Sequence, residues 1–177
     1  VGPLHGVPFA IKDFTPTAGK RTTLGSKVFE NWIPEFDPPL VERLHKAGGI
    51  MIGKTTTPEF AHSSFTDSPL WGPTRNPWNS NCTAGGSSGG SAVAVATGCV
   101  PIAEGSDAGG SIRIPAALSG IVGLKPSFGR IPMGILPSAF DSIFHFGPLS
   151  RTVSDAVLFL NITQGPDDRD IMSLPET

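Results

Sequence analysis

Two glycine- and serine-rich segments, residues 85–90 (GGSSGG) and 105–111 (GSDAGGS), most constrain what this chain can fold into. A flexible linker of this composition is expected to continue into polar sequence, whereas apolar residues closely flank both segments here. Glycine also permits backbone conformations and close approaches that a side chain prevents. These features together predict two tightly turned segments held within a folded domain.

Strand and helix patterns alternate around these segments. Short apolar runs that end at turn residues predict buried strands, at 7–11, 50–52, 100–103 and 121–124, with a loop at 104–110. Helices are predicted at 39–47, 114–118 and 156–162, and residues 91–97 fit either a strand or the helix that we favour. Thr152 and Asp155 form a capping box before the last helix. This alternation predicts an α/β fold with a largely parallel sheet.

Composition and charge exclude several classes of partner. The chain of 177 residues has a net charge of −2, which provides no basic surface for nucleic acid or an anionic membrane. No apolar run approaches the roughly 18–20 residues of a membrane span, and no signal peptide opens the chain. Cys82 and Cys99 are too few for a disulfide framework and lack metal-ligand spacing, so we expect two buried or half-buried thiols in a cytoplasmic protein.

Residues 48–55 (GGIMIGKT) satisfy the phosphate-loop pattern G-x-x-x-x-G-K-[ST]. That motif needs a loop of free backbone amides and a helix that starts at the lysine. Ile50, Met51 and Ile52 favour a strand instead, and Pro58 would cut short a helix that begins at Lys54. A nucleotide-binding loop is therefore the less favoured alternative.

Residues 85–89 (GGSSG) satisfy G-x-S-x-G, the nucleophile elbow of α/β-hydrolases. The elbow follows an apolar strand, but a polar loop, residues 79–83, precedes this copy. The acid and histidine that the motif requires downstream would be Asp141 and His145, which lie only a few residues apart. This interpretation is also the less favoured one.

The second glycine–serine segment has a clear chemical use. Because Gly109 and Gly110 have no side chains, the backbone there can turn its amides towards a carbonyl oxygen beside the Ser111 hydroxyl, as an oxyanion hole requires. A serine hydroxyl is a poor nucleophile until a base takes its proton. No histidine lies in a run that is built around it, whereas Lys12 stands at the end of a predicted buried strand.

The chain resembles the amidase-signature family over nearly its whole length. Several long blocks in the family's order carry this resemblance, and the separations between residues 12, 87 and 111 match as well. The blocks are residues 6–13 (GVPFAIKD), 47–61 (AGGIMIGKTTTPEFA), 84–98 (AGGSSGGSAVAVATG), 104–132 (EGSDAGGSIRIPAALSGIVGLKPSFGRIP) and 147–160 (GPLSRTVSDAVLFL). The resemblance implies the family's fold, a mixed, largely parallel central sheet covered by helices on both faces.

The resemblance also implies a role for individual residues. Ser111 resembles the nucleophile, Lys12 the base, and Ser87 the bridging serine that follows a cis peptide bond after Gly86. The remaining implied residues form an oxyanion hole and its polar support. The oxyanion hole would use the amides of Ala108, Gly109, Gly110 and Ser111, and the supporting residues would be Ser88, Asp107 and Arg113.

The implied activity is hydrolysis of a small-molecule amide through an acyl-enzyme, with no metal and no cofactor. Residues 1–177 are expected to be a single catalytic core domain and a fragment of a longer enzyme, because the chain starts without Met and ends soon after the last predicted helix. The resemblance is compatible with a homodimer and, less favoured, with amidotransferase partner subunits. Ile114 stands where the glutaminase component of that amidotransferase usually has a glutamine, and this difference favours a free-standing amidase. Together with Phe140 and Ile143, the apolar Ile114 also suggests an apolar substrate. The non-enzymatic alternative is a catalytically inactive binding protein.

Overall fold

The computed structural model describes residues 1–136 and 140–175. Its strands are β1 (Pro8–Lys12), β2 (Ile50–Thr55), β3 (Asp67–Ser68), β4 (Gly72–Pro73), β5 (Ile102–Asp107), β6 (Val122–Gly123) and β7 (His145–Ser150). The α-helices are α1 (Pro39–Lys46), α2 (Gly89–Ala96), α3 (Arg113–Ser119) and α4 (Val153–Thr163), and two short 3₁₀ helices span Lys27–Phe29 and Glu59–Ala61.

Five strands form one mixed sheet in the order β2-β1-β5-β7-β6. Strand β1 runs parallel to both β2 and β5, whereas β7 is antiparallel to β5 and to β6. Strands β3 and β4 form a separate antiparallel pair. Since β1 and β5 are parallel, their carboxyl ends lie at the same edge of the sheet, where ligands bind in open α/β sheets.

Helices cover both faces of this sheet because side chains alternate along each strand. Phe9 and Ile11 of β1 pack in one apolar cluster with residues of α1 and α4. Ala10, between them, packs in a second cluster with residues of α2 and α3. The small Ala92 and Val95 of α2 are fully buried in that second cluster, which lets the helix lie close to the sheet. The predicted α/β fold is therefore confirmed.

Two sequence expectations about the fold are wrong, and one strand was not expected. The predicted loop at 104–110 begins as strand, because β5 continues to Asp107 by pairing with β7. Strand β7 itself was not predicted, since its sequence HFGPLS lacks strand periodicity. Strand β2 is an edge strand rather than a buried one, and Ile50 and Ile52 are 54% and 56% exposed.

Two further features concern the surface. Cys82 and Cys99 are both exposed, contrary to the expectation of buried or half-buried thiols, because they lie in a loop and just after the end of α2. Within residues 1–136 and 140–175, no helix is long and apolar enough to cross a membrane.

Candidate active site

The candidate residues meet at the edge of the sheet where β1 and β5 end. Lys12 is the last residue of β1, and Asp107 is the last residue of β5. The loop of residues 108–112 then leads into α3, and Ser87 and Ser88 lie directly before α2. Three separate parts of the chain are thus brought to one place.

Lys12 is fully buried although it carries an ionisable amine. Its Nζ lies 2.6 Å from Ser87 Oγ and 3.0 Å from Ser106 Oγ. Burial disfavours the ammonium form and lowers the pKa of Lys12 to about 7, against the opposing charges of Glu104 and Asp107. At neutral pH a substantial fraction of Lys12 is therefore neutral and able to accept a proton.

Ser87 follows a cis peptide bond from Gly86, as the resemblance implies. A Cβ at Gly86 would lie 2.8 Å from the Phe65 carbonyl carbon, so only glycine fits between this segment and its neighbour. Thr66 holds the same turn, because its hydroxyl donates to Gly85 O at 2.8 Å and accepts from Gly89 N at 3.0 Å. The position of Ser87 is therefore determined by backbone packing.

Ser111 is connected to the same turn through its backbone. Its carbonyl accepts a hydrogen bond from Ser88 N at 3.1 Å, and the residue is half-buried. Across the described parts of the chain, Ser111 Oγ has no hydrogen-bond partner, so no Ser111–Ser87 hydroxyl contact exists in this state. Hydrogen bonds between reacting groups often tighten only when substrate is bound.

The loop before Ser111 presents free backbone amides. Ala108 and Gly109 are exposed, and among the residues that the structure describes neither their amides nor that of Ser111 has an acceptor. The Gly110 amide differs from these, because it donates to Asp107 Oδ1 at 2.8 Å. The Asp107 carboxylate is therefore the acceptor of this N–H here, and the part of Gly110 in an oxyanion hole stays a prediction.

Asp107 clamps this loop with Arg113, as the sequence suggested. Arg113 donates to it from Nε at 3.0 Å and from Nη2 at 2.9 Å, and Ile112 N donates at 3.1 Å. Burial alone would raise the pKa of Asp107, but the hydrogen bonds from Arg113, Ile112 and Gly110 outweigh it and lower the pKa to about 2. Asp107 is thus ionised at neutral pH and fixes the start of α3.

Ser88, the third supporting residue, is buried and faces β5. Its Oγ donates to Ser106 O at 3.2 Å and accepts from Ser106 N at 3.3 Å. Sequence reasoning missed Ser106, which contacts Lys12, and Glu104, which is fully buried nearby. Glu104 carried a recognisable signal, since a carboxylate within an apolar strand needs compensating partners.

Lys54 and His145, which the two alternative motifs would require, are engaged in contacts with backbone and threonine oxygens. Lys54 belongs to β2, and its Nζ donates to Thr15 O, to Thr17 Oγ1 at 2.9 Å and to Thr22 Oγ1 at 3.2 Å. Residues 50–55 therefore form a strand and no phosphate loop. His145, the histidine of the elbow alternative, bonds through Nδ1 to Asp107 O and Ile143 O, at 3.2 and 2.9 Å.

Similarity to known proteins shows the family of this chain. The family model described as Amidase matches residues 1–177. The chain belongs to the amidase family. It is 51% identical over 174 residues to an acylamidase from Rhodococcus erythropolis, a match that covers 98% of this chain and 36% of that protein.

Another relative of this amidase-family chain is a component of the glutamyl-tRNA(Gln) amidotransferase from Carboxydothermus hydrogenoformans, 52% identical over 172 residues, or 97% of this chain and 36% of that protein. Among solved structures, a bacterial aryl acylamidase of the amidase signature family superposes with a TM-score of 0.94 at 40% identity, covering all of this chain and 37% of that one. The chain spans a little over a third of the length of the curated relatives that it matches.

Proposed function

We propose that the protein containing this chain hydrolyses carbon–nitrogen amide bonds through an acyl-enzyme on Ser111. Lys12 is the base in this proposal, and Ser87 relays the proton between them. The observation that carries it is a buried lysine with a pKa of about 7, 2.6 Å from a serine hydroxyl at the end of parallel strands. Such a lysine has the proton affinity that a base needs near neutral pH.

Accessibility supports Ser111 rather than Ser87 as the nucleophile. Ser87 is 1% exposed and already bonded to Lys12, so a substrate carbonyl has little access to its hydroxyl. Ser111 is half-buried, with a hydroxyl that no group in the described residues engages. Ser87 is therefore suited to pass a proton, and Ser111 is suited to attack.

The reaction then follows from acid–base balance. Neutral Lys12 takes a proton from Ser87, Ser87 takes one from Ser111, and the Ser111 oxygen bonds to the amide carbon. Negative charge develops on the carbonyl oxygen, and the amides of Ala108, Gly109 and Ser111 are available to stabilise it. Ser87 gives its proton to the leaving nitrogen as the carbon–nitrogen bond breaks, and the Lys12 ammonium returns a proton to Ser87. Water then attacks the Ser111 ester, its proton passing along the same relay, and the carboxylic acid leaves as the Ser111 hydroxyl is restored. Gly110 contributes by holding the loop to Asp107.

The surroundings of the loop favour an amide with an apolar group. Ile114 lies against both glycine segments, since a Cβ at Gly85 would be 3.2 Å from its Cγ2 and one at Gly110 would be 2.8 Å from its Cδ1. It is half-buried, so part of its apolar surface is accessible beside the loop. Phe140 and Ile143 are exposed rather than core residues. This environment supports a free-standing amidase.

A second candidate function is the glutaminase step of a tRNA-dependent amidotransferase. The amidotransferase relative is as similar to this chain as the acylamidase is, with 52% against 51% identity. Such a protein would require partner subunits and would use glutamine, whose polar side chain fits less well beside Ile114. A homodimer remains our proposal for the free-standing enzyme.

The experiment that tests this function uses the full-length protein with an acyl-anilide such as 4-nitroacetanilide and with glutamine. We expect turnover of the anilide and its loss in Ser111→Ala by at least about 10³-fold, as for removal of a nucleophile. Ser154→Ala, an exposed serine of α4, is the matched control. Reaction with phenylmethylsulfonyl fluoride should label Ser111, and a label on Ser87 would contradict the assignment.

A further inference from the structure

Glu104 is a carboxylate with no part in the reaction proposed above, yet it is fully buried in β5. Removing a carboxylate from water is unfavourable unless hydrogen bonds and opposite charges compensate. Its Oε2 accepts a hydrogen bond from Lys12 N at 2.9 Å, and its Oε1 accepts one from Thr15 Oγ1 at 3.1 Å. Both oxygens therefore act as acceptors, as those of an ionised carboxylate do.

The contact with Lys12 lies where the pairing between β1 and β5 ends. The paired residues are Phe9 with Ile102 and Ala10 with Ala103. Beyond them, the Glu104 side chain supplies the acceptor for Lys12 N. Two residues farther along β5, Ser106 Oγ binds Lys12 Nζ at 3.0 Å. Strand β5 therefore holds the candidate base at both its backbone and its amine.

Charge couples the two side chains as well. Burial raises the pKa of Glu104, and the charge and backbone hydrogen bond of Lys12 oppose that rise. In turn, the negative charge of Glu104 opposes the lowering of the Lys12 pKa by burial. Among the described residues, Asp107 of β5 acts on Lys12 and Lys54 of β2 acts on Glu104. Asp107 in turn binds Arg113 of α3 and, through its carbonyl, His145 of β7, and Asp13 after β1 acts on Lys54.

We propose that Glu104 is a positioning residue for Lys12: it fixes the Lys12 backbone and, through its negative charge, sets the pH range in which Lys12 acts as a base. This inference rests on the proposed function, since Glu104 has this role only where Lys12 is the base. Without the charge, the ammonium form of Lys12 loses a stabilising partner, so Lys12 stays neutral down to a lower pH.

The test measures the rate at which phenylmethylsulfonyl fluoride labels Ser111 as a function of pH, by intact mass and peptide mapping of the full-length protein. Glu104→Gln keeps the size and an acceptor for Lys12 N but removes the charge. We expect the midpoint of its profile to move to lower pH by about 1 unit. Glu104→Asp keeps the charge and should keep the wild-type midpoint at a reduced rate, and Asp155→Asn, at the exposed start of α4, should change neither.

A second pair of variants tests the same role if the Glu104→Gln protein does not fold. Thr15→Val removes one hydrogen bond to the carboxylate and should move the midpoint in the same direction by a smaller amount. Thr57→Val is its matched control, since the buried Thr57 hydroxyl has no hydrogen-bond partner in the described chain. A wild type that is not labelled at Ser111 contradicts the proposed function, and the inference with it. Labelling with an unmoved midpoint in the folded Glu104 and Thr15 variants contradicts the role of Glu104 alone.

Discussion

Lys12 Nζ and Ser87 Oγ lie 2.6 Å apart, although 75 residues separate them in the chain. The contact forms because β1 delivers Lys12 to the edge of the sheet where α2 begins, directly after the turn that holds Ser87. Within the described residues the Lys12 amine forms its hydrogen bonds with the hydroxyls of Ser87 and Ser106, and a buried amine without a directly paired carboxylate is costly when charged. A role in function therefore explains the Lys12–Ser87 contact better than a contribution to stability does.

Lys12→Met is expected to lower amide turnover by about 10²–10⁴-fold, the usual contribution of a general base. The matched control is Lys54→Met, which removes a half-buried lysine that binds the Thr15–Thr22 loop. We expect it to keep turnover within about tenfold of the wild type, because positioning alone is disturbed. Saturable ATP binding that Lys54→Met abolishes would support the phosphate-loop alternative instead.

The pH dependence of stability should also report Lys12. Its pKa falls from 10.5 to about 7 on folding, so between these values the unfolded chain binds more protons than the native one. The Lys12 contribution to the free energy of unfolding therefore rises with pH from about 7 to 10.5. Urea unfolding at pH 7 and pH 10 should show the stability of Lys12→Met relative to wild type decreasing as pH rises. An equal difference at both values would mean that Lys12 is ionised in the native state.

Because Asp107 holds the loop before Ser111 as a carboxylate, the folded chain should lose stability at low pH. The pKa of Asp107 is lowered to about 2 on folding, so its contribution to stability is present above about pH 4 and is lost as pH falls towards 2. Asp107→Asn should lower stability at pH 7 by about 2–3 kcal/mol, as for loss of hydrogen bonds to a charged group. Turnover should fall by about 10²-fold, because the loop before Ser111 is no longer fixed.

The control for Asp107 is Arg113→Met. Arg113 is half-exposed, with 54% of its side chain accessible, so its charge is screened by water. The Arg113→Met substitution should lower the free energy of unfolding less than Asp107→Asn does, because the amides of Gly110 and Ile112 keep Asp107 as their acceptor. If urea unfolding shows a larger loss of stability for Arg113→Met than for Asp107→Asn, the Asp107–Arg113 ion pair stabilises the loop more than the backbone hydrogen bonds to Asp107 do.

Neighbouring glycines of the loop should respond differently to alanine. Gly110 has φ of +121° and a Cβ there would lie 2.8 Å from Ile114 Cδ1, so Gly110→Ala should cost about 1–3 kcal/mol. Gly109 has open space around its Cα, and Gly109→Ala should leave the melting temperature almost unchanged. Thermal unfolding of both variants tests this pair. Equal melting temperatures would mean that the loop adapts freely to a side chain.

Local signals in the sequence predicted the elements that depend on near neighbours. The capping box is one, because Thr152 Oγ1 accepts from Asp155 N at 3.1 Å and starts α4. Helix α1 is another, with Leu40, Val41 and Leu44 buried on one face as their spacing predicts. The resemblance of the sequence blocks also identifies Lys12, Ser87 and Ser111 as candidates. Each of these depends on residue order alone.

Only the tertiary structure decided the pairing of distant segments. Strand β7 lies between β5 and β6 although its sequence has no strand periodicity. Gly147 and Pro148 have low strand propensity, so pairing with the neighbouring strands places them in the sheet. The direction of the Gly110 amide, towards Asp107, depends on φ and ψ values that no residue type specifies. The proximity of Glu104 to Lys12 N likewise requires β1 and β5 to be adjacent and parallel. Residue order determines which groups are present, whereas long-range packing determines which of them meet and how they ionise, because burial and contact are properties of the folded chain.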